Sequence, residues 1–409
     1  MHKCVLPVMR RLCIAIAVLT SPVAAQTLTT LYSFPGGAHG ANPESSVTLQ
    51  SDGSLVGTTP YGGTNGFGTV YQLTPGTPWT QSPIHSFLGG ADGANPQGGL
   101  TLGTGGVLYG TTSAGGSTGN GTVFQLTPPA VSGGAWTKTI LYNFQGGADG
   151  SNPQGNLARL QNGFMYGTTA GGGTGTNCAG CGTVFAMIPP PKGVGSWSEK
   201  VIYTFNGGKD GSGPQNGVIV SSGKLYGTTC CGTVGGTVFR LTPVSGSWVK
   251  ASLYGFAAYH IGAFPGSLAI DSNGVLYGTT TAGGASNAGI VFSLTPAASG
   301  KPYTLATIHS FTNGADGGAP YGGVTLGSNG VLYTTVTAGC QDSVGGVLEF
   351  TPPAGGTGSW TETVLHNFTG GSDGSQPFAG LVLASNTLYG TTVFGGTSVY
   401  YGTVFELVP

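Results

Sequence analysis

The chain has 409 residues, 80 of them Gly, and only 6% are charged, yet 39% are hydrophobic and 10% aromatic. A disordered Gly-rich polymer would be poorer in apolar and aromatic side chains, so that class is excluded. Twelve Lys and Arg stand against 13 Asp and Glu, too few cations to neutralise a phosphate backbone, which argues against nucleic acid as a partner.

At the N-terminus, Lys3, Arg10 and Arg11 precede the apolar run Leu12 to Leu19, and Val23-Ala24-Ala25 supplies small residues before Gln26. This pattern predicts a secretory signal over residues 1–25, because the run is too short to span a bilayer. Its removal takes away three of the 12 Lys and Arg and none of the 13 acids, leaving 9 minus 13, a net charge of −4. No second long apolar stretch follows, and Phe405-Glu406-Leu407-Val408-Pro409 offers no hydrophobic tail. The mature chain is expected outside the cytoplasm, secreted or periplasmic, without a membrane span and as a monomer.

From Gln26 onward the chain repeats itself. Seven copies of a Leu-Tyr-Gly-Thr-Thr segment centre on Val56, Tyr109, Tyr166, Tyr226, Tyr277, Tyr333 and Tyr389, at spacings of 53, 57, 60, 51, 56 and 56 residues. That period lies near the range of kelch-like blades, roughly 40 to 50 residues. In the second copy, Gly99-Leu100-Thr101-Leu102 and Val107 to Thr112 flank a Gly105-Gly106 turn and predict a hairpin. A Gly-rich loop leads to a third run, Gly121 to Leu126, and Trp136 to Phe144 makes the fourth. The terminal copies are out of phase: Thr30-Leu31-Tyr32-Ser33-Phe34 is a fourth-type run standing alone, while the last copy stops after its third-type run, Gly402 to Leu407. Lending the first strand to the last blade would remove exposed sheet edges. The expected fold is therefore all-β: residues 26–409 as a single seven-bladed β-propeller of four-stranded antiparallel blades, closed by one N-terminal and three C-terminal strands.

The string Leu108 to Thr112, a Gly-rich gap, then Gly121 to Leu126 resembles the GloVer tandem repeat of exported bacterial proteins of the choice-of-anchor type. The resemblance covers essentially the whole mature chain. It implies a propeller and export and supplies no catalytic residues; no cofactor is expected. The chain departs from that pattern in showing no C-terminal anchor.

Between one blade and the next lies a turn such as Gly89 to Pro96, whose acidic position recurs as Asp92, Asp149, Asp210, Asp316 and Asp373, with His39 and Ile261 in the remaining copies. Strand alternation places these turns and the Gly-rich loops on one face, the upper face. Such carboxylates can serve calcium or acid–base chemistry. Asp before Gly is also a turn former in its own right, and a need shared by every blade favours the structural reading, with no metal expected. His85, His309 and His366 alternate with Tyr32, Tyr142, Tyr203 and Tyr254 in the fourth runs and read as half-buried strand residues. Trp79, Trp136, Trp197, Trp248 and Trp360, with Tyr303, read as blade packing.

A binding site on a repeat scaffold is expected where one copy departs from the others. Two sectors do so. One carries aromatics on consecutive blades 5, 6, 7 and 1: Tyr259, His260, Phe264, Tyr321, Phe378, Phe394, Tyr400, Tyr401, Tyr61 and Phe67. These either grip a ligand or fill gaps between loops. The other carries Cys178, Cys181, Cys230 and Cys231 on blades 3 and 4, with Cys340 apart. Outside the cytoplasm disulfides are the default, with zinc the rival for a Cys-x-x-Cys pair. The pairing stays open: Cys178 to Cys181 with a vicinal Cys230 to Cys231 bridge, or cross-pairing of the loops. Cys340 is then a free thiol or an intermolecular link.

No nucleophile elbow, P-loop or zinc-protease motif is present. The sequence therefore points to a non-catalytic scaffold binding a glycan or an extracellular protein through its upper face. A polysaccharide-active enzyme with His260, Asp316 or Asp373 near the ring axis, and a structural envelope component, are the alternatives.

Overall fold

The computed structural model describes residues 26–131, 133–175, 177–178, 180–232, 235–256, 261–297, 302–356, 358–398 and 400–409. Short alternating runs between Gly and Pro turns give each copy four strands, and these form seven four-stranded antiparallel sheets. No α-helix occurs among the described residues. In blade 2 the inner, second, third and outer strands are Thr101–Leu102, Leu108–Thr112, Thr122–Thr127 and Thr137–Asn143. Blade 7 takes its inner three strands from Val382–Ala384, Thr387–Thr392 and Thr403–Val408. Its outer strand is Thr27–Ser33, antiparallel to Thr403–Val408 with Thr27 opposite Val408. The phase offset in the sequence is thus the seam of a closed ring.

The repeat motif explains the blade interior. In the second strand Gly110 lies opposite Phe124 of the third, and a Cβ on Gly110 would sit 2.6 Å from the Phe124 ring. The same conflict arises at Gly167 with Phe185, Gly227 with Phe239, Gly278 with Phe292 and Gly390 with Phe405. Blade 6 changes both members together: Thr334 replaces the glycine where its partner is Leu348. The glycine is there to seat the ring, and it is dispensable where the ring is gone.

Rings also join the blades. Phe87, which follows the outer strand of blade 1, meets Phe124 of blade 2 edge-on with centroids 5.3 Å apart. Equivalent contacts are Phe144 with Phe185, Phe205 with Phe239, Phe256 with Phe292 and Phe368 with Phe405. Across the seam Phe34 meets Tyr71 at 5.1 Å. Burying one Phe is worth about 1.5–3 kcal/mol, whereas aromatic geometry adds about 0.5–1.5 kcal/mol, so burial dominates these interfaces. Nearer the axis, the first Thr of the pair reaches the next blade's backbone in several copies: Thr58 Oγ1 donates to Gly98 O at 3.0 Å and Thr279 Oγ1 to Pro320 O at 2.9 Å. Across the seam Thr391 Oγ1 donates to Ser45 O at 3.2 Å.

The turn into a blade bridges to the Gly-rich loop after that blade's second strand, as Ala94 to Ala114 and Ser375 to Phe394. Both sets of loops share the upper face.

Candidate functional site at the channel mouth

Each blade begins with a proline: Pro43, Pro96, Pro153, Pro214, Pro265, Pro320 and Pro377. The residue before it adopts a left-handed backbone in every copy, from φ 50° at Ala319 to φ 61° at Gly213. Asn and Gly tolerate this region best, and blades 1 to 4 supply Asn42, Asn95, Asn152 and Gly213. Blades 5 to 7 hold Phe264, Ala319 and Gln376 there instead, each with positive φ. Departure from the local preference is thus confined to one arc of the ring.

The residue after each proline stands at the lip of the central channel. In order around the ring these are Glu44, Gln97, Gln154, Gln215, Gly266, Tyr321 and Phe378. All but Gly266 line a cavity of about 320 Å³ that draws residues from all seven blades. One arc of the mouth is therefore amide and carboxylate, and the other is aromatic. The Tyr321 and Phe378 rings stack with centroids 4.6 Å apart and planes 33° apart. Tyr321 is 44% exposed, so its ring is available to a ligand. Gln97 Nε2 donates to Glu44 Oε2 at 3.4 Å, and Gln154 Nε2 to Asn152 Oδ1 at 3.2 Å. Asn216 Nδ2 donates to Pro265 O at 3.1 Å. Burial raises the Glu44 carboxyl above its ordinary range, and the bond from Gln97 offsets part of that rise.

The aromatic residues singled out in the sequence separate into groups. Tyr321 and Phe378 meet at the mouth, and Phe264 lines a smaller cavity with Tyr321, Gln215 and Asn216. Phe67 and Tyr401 cover turn glycines: a Cβ on Gly89 would lie 2.6 Å from the Phe67 ring, and one on Gly36 would lie 2.7 Å from that of Tyr401. Tyr61 and Phe394 sit at bridges to Ala41 and Ser375. Tyr400 is 69% exposed and meets the Tyr401 ring edge-on. None of these last five lines the channel. Tyr259 and His260 lie outside the described residues.

The placement of Asp316 and Asp373 near the ring axis is corrected by the structure. Each closes its turn by accepting the backbone N–H four residues earlier, Asp316 from Thr312 at 2.8 Å and Asp373 from Thr369 at 3.0 Å. Each also bonds an outer-strand imidazole, His309 Nε2 at 3.1 Å and His366 Nε2 at 3.1 Å. Tyr142 and Tyr203 do the same with their hydroxyls to Asp149 and Asp210. A third member comes from the outer strand of the following blade. Lys138 Nζ lies 2.7 Å from Asp92 Oδ1 and Lys250 Nζ lies 2.7 Å from Asp210 Oδ1, both lysines being nearly buried. At His39, which stands in the acidic position of the first turn, Gln81 Oε1 lies 2.7 Å from Nδ1. These triads clasp neighbouring blades together. The Tyr/His exchange and the recurring Asp were legible separately. Their partnership was not, because it joins positions seven residues apart to a third about 46 further on.

Among the cysteines, Cys178 and Cys181 stand side by side, with Cα atoms 5.7 Å apart, within the reach of a disulfide. Cys230, Cys231 and Cys340 stand unbridged in the structure. Cys340 is buried, its thiol pushed up to about 11 by burial and by the charges of Asp316 and Glu362. It fills the space left where blade 6 carries Gly346 in place of a threonine, its Sγ 2.8 Å from where a Cβ would stand.

Against this geometry, the Gloeobacter/Verrucomicrobia repeat matches residues 17–195 and 176–405. The chain belongs to this repeat family. No curated protein sequence matches it. As a folded Gloeobacter/Verrucomicrobia repeat array it is similar to a candidate 6-phosphogluconolactonase from Bacteroides uniformis, at TM-score 0.52 and 16% identity over 82% of this chain and 88% of that one. A fungal alcohol oxidase of the AA5 family, in complex with copper, matches at TM-score 0.50 and 14% identity over 94% and 76%. A puromycin-hydrolyzing peptidase of Mycobacterium tuberculosis matches at TM-score 0.50 and 12% identity over 88% and 52%. Three unlike activities at such identities show the fold alone. No helix of the described residues is long and apolar enough to cross a membrane.

Proposed function

We propose that this protein is an exported carbohydrate-binding propeller whose site is the upper mouth of the central channel. The observation that carries the reading is the split of the residues after the blade prolines into Glu44, Gln97, Gln154 and Gln215 on one arc and Tyr321 and Phe378 on the other, with Gly266 between them. Sugars present the matching pair of surfaces, a C–H face that stacks on aromatic rings and hydroxyls that bond amides and carboxylates. Protein scaffolds of this kind place a few polar groups around an apolar platform to fix a ligand's orientation.

Binding is favoured over hydrolysis by the same residues. Glycosidases need two carboxyl groups about 5–9.5 Å apart, and Glu44 is the one carboxylate among the described residues lining the channel. The acids that recur in the turns are committed to the clasps between blades. Export is supported by the residues 1–25 pattern, and a disulfide between Cys178 and Cys181 fits that compartment.

The test is a glycan array with the mature protein, followed by calorimetry on the best oligosaccharide. Tyr321→Ala is expected to weaken binding about tenfold or more while leaving the melting temperature nearly unchanged, since its ring is half exposed. Gln215→Ala should weaken it less. Undiminished affinity in Tyr321→Ala would remove the mouth as the site.

A further inference from the structure

The clasps between blades are not chemically alike. In blades 2 and 4 the turn carboxylate is met by a cation of the chain, Lys138 on Asp92 and Lys250 on Asp210. At the junction of blades 5 and 6 the corresponding outer-strand residue is Glu362, so the position that holds an ammonium elsewhere holds a second carboxylate. An imidazole completes the group: His309 Nε2 lies 3.1 Å from Asp316 Oδ2 and 3.5 Å from Glu362 Oε2. The three ligating atoms all fall within 4.8 Å of one another. Among the described residues this is the one group of His, Cys, Asp and Glu side chains so converged.

We infer that His309, Asp316 and Glu362 form a binding site for a divalent transition ion of the zinc type, which takes the place of the missing lysine and staples blade 5 to blade 6. The spacing fits. Zinc bonds of about 2.0–2.2 Å to nitrogen and oxygen in a tetrahedron set neighbouring ligand atoms about 3.4 Å apart, and the two imidazole-to-carboxylate separations bracket that value. One nitrogen and two carboxylate oxygens suit a borderline ion better than calcium, which takes six or more oxygens. The carboxylate is already oriented by its neighbours, since Thr312 donates both its backbone N–H and its hydroxyl to Asp316. The side chains of His309, Asp316 and Glu362 are 22%, 13% and 22% exposed, enough for an ion to enter and for a water to fill the fourth position. The turn that carries Asp316 runs directly on to Tyr321 at the channel mouth, so an ion held here would steady the aromatic arc.

The rival arrangement is a hydrogen-bonded imidazole between two carboxyl groups, and it takes up no metal. To separate the two, the mature protein is stripped with chelator, incubated with zinc, desalted and assayed for metal content, with the melting temperature measured with and without zinc. One zinc per chain and a raised melting temperature are expected. Glu362→Lys copies blades 2 and 4, and His309→Tyr copies blade 3. Each should keep the fold in chelator yet weaken uptake more than about tenfold, the lower bound for losing even an outer partner of a metal ligand. The inference is overturned if the folded protein takes up no zinc. It also falls if uptake is unchanged in both variants, or is abolished instead by Cys230→Ser with Cys231→Ser.

Discussion

A glycine in a β-strand is usually a weakness, but Gly110 is held in place by what stands opposite it. Any side chain there would strike the Phe124 ring, 2.6 Å from the Cβ position, and overpacking of this kind costs about 1–3 kcal/mol. Gly110→Ala is expected to lower stability by that amount in denaturant titration. Adding Phe124→Leu should recover part of the loss, a coupling above about 0.5 kcal/mol in a double-mutant cycle, because Thr334 and Leu348 already form the relieved pair in blade 6. Additive effects would show that the ring is not the cause.

At the scale of elements, the clasps decide how neighbouring blades respond to pH. Glu199 stands in the clasp of Asp149 and Tyr142, where burial first and the Asp149 charge second push it up to about 7 from an ordinary 4.5. The folded chain therefore keeps a proton that the unfolded chain releases between about pH 4.5 and 7, so stability falls as pH rises through that window and levels off above it. Glu199→Gln is expected to flatten this slope and to leave the protein more stable than wild type at pH 8, measured by thermal unfolding across pH. A slope unchanged by the substitution would place its origin elsewhere. This chemistry was hidden in the sequence because Glu199, Glu362, Lys138 and Lys250 each look like an ordinary solvated charge in a strand. Only the alignment of the copies, column against column, shows that they occupy one position facing one carboxylate. The channel lip is half legible for a similar reason: Tyr321 and Phe378 stand out as aromatics, while nothing local marks Gln97, Gln154 and Gln215. Their inward direction depends on the closed ring and on no local pattern.

For the molecule as a whole, period, strand count and phase offset were enough to read the architecture, because each strand is bounded by its own turn chemistry and every copy repeats it. The seam was legible for the same reason. Removing residues 26–34 should uncover the edge of Thr403–Val408 and the face of Tyr71 that Phe34 covers, and exposed edges of this kind associate. Light scattering is expected to show assembly where the full mature chain stays monodisperse; a monodisperse, equally stable truncation would mean that blade 7 does not need its borrowed strand. Thr27–Ser33 is synthesised first among the strands and its partner last. Joining ends some 370 residues apart costs about 2 kcal/mol more chain entropy than joining neighbours one blade away. The disc is thus latched only when the final segment arrives, and an unfinished chain carries an unoccupied slot that distinguishes it from a finished one.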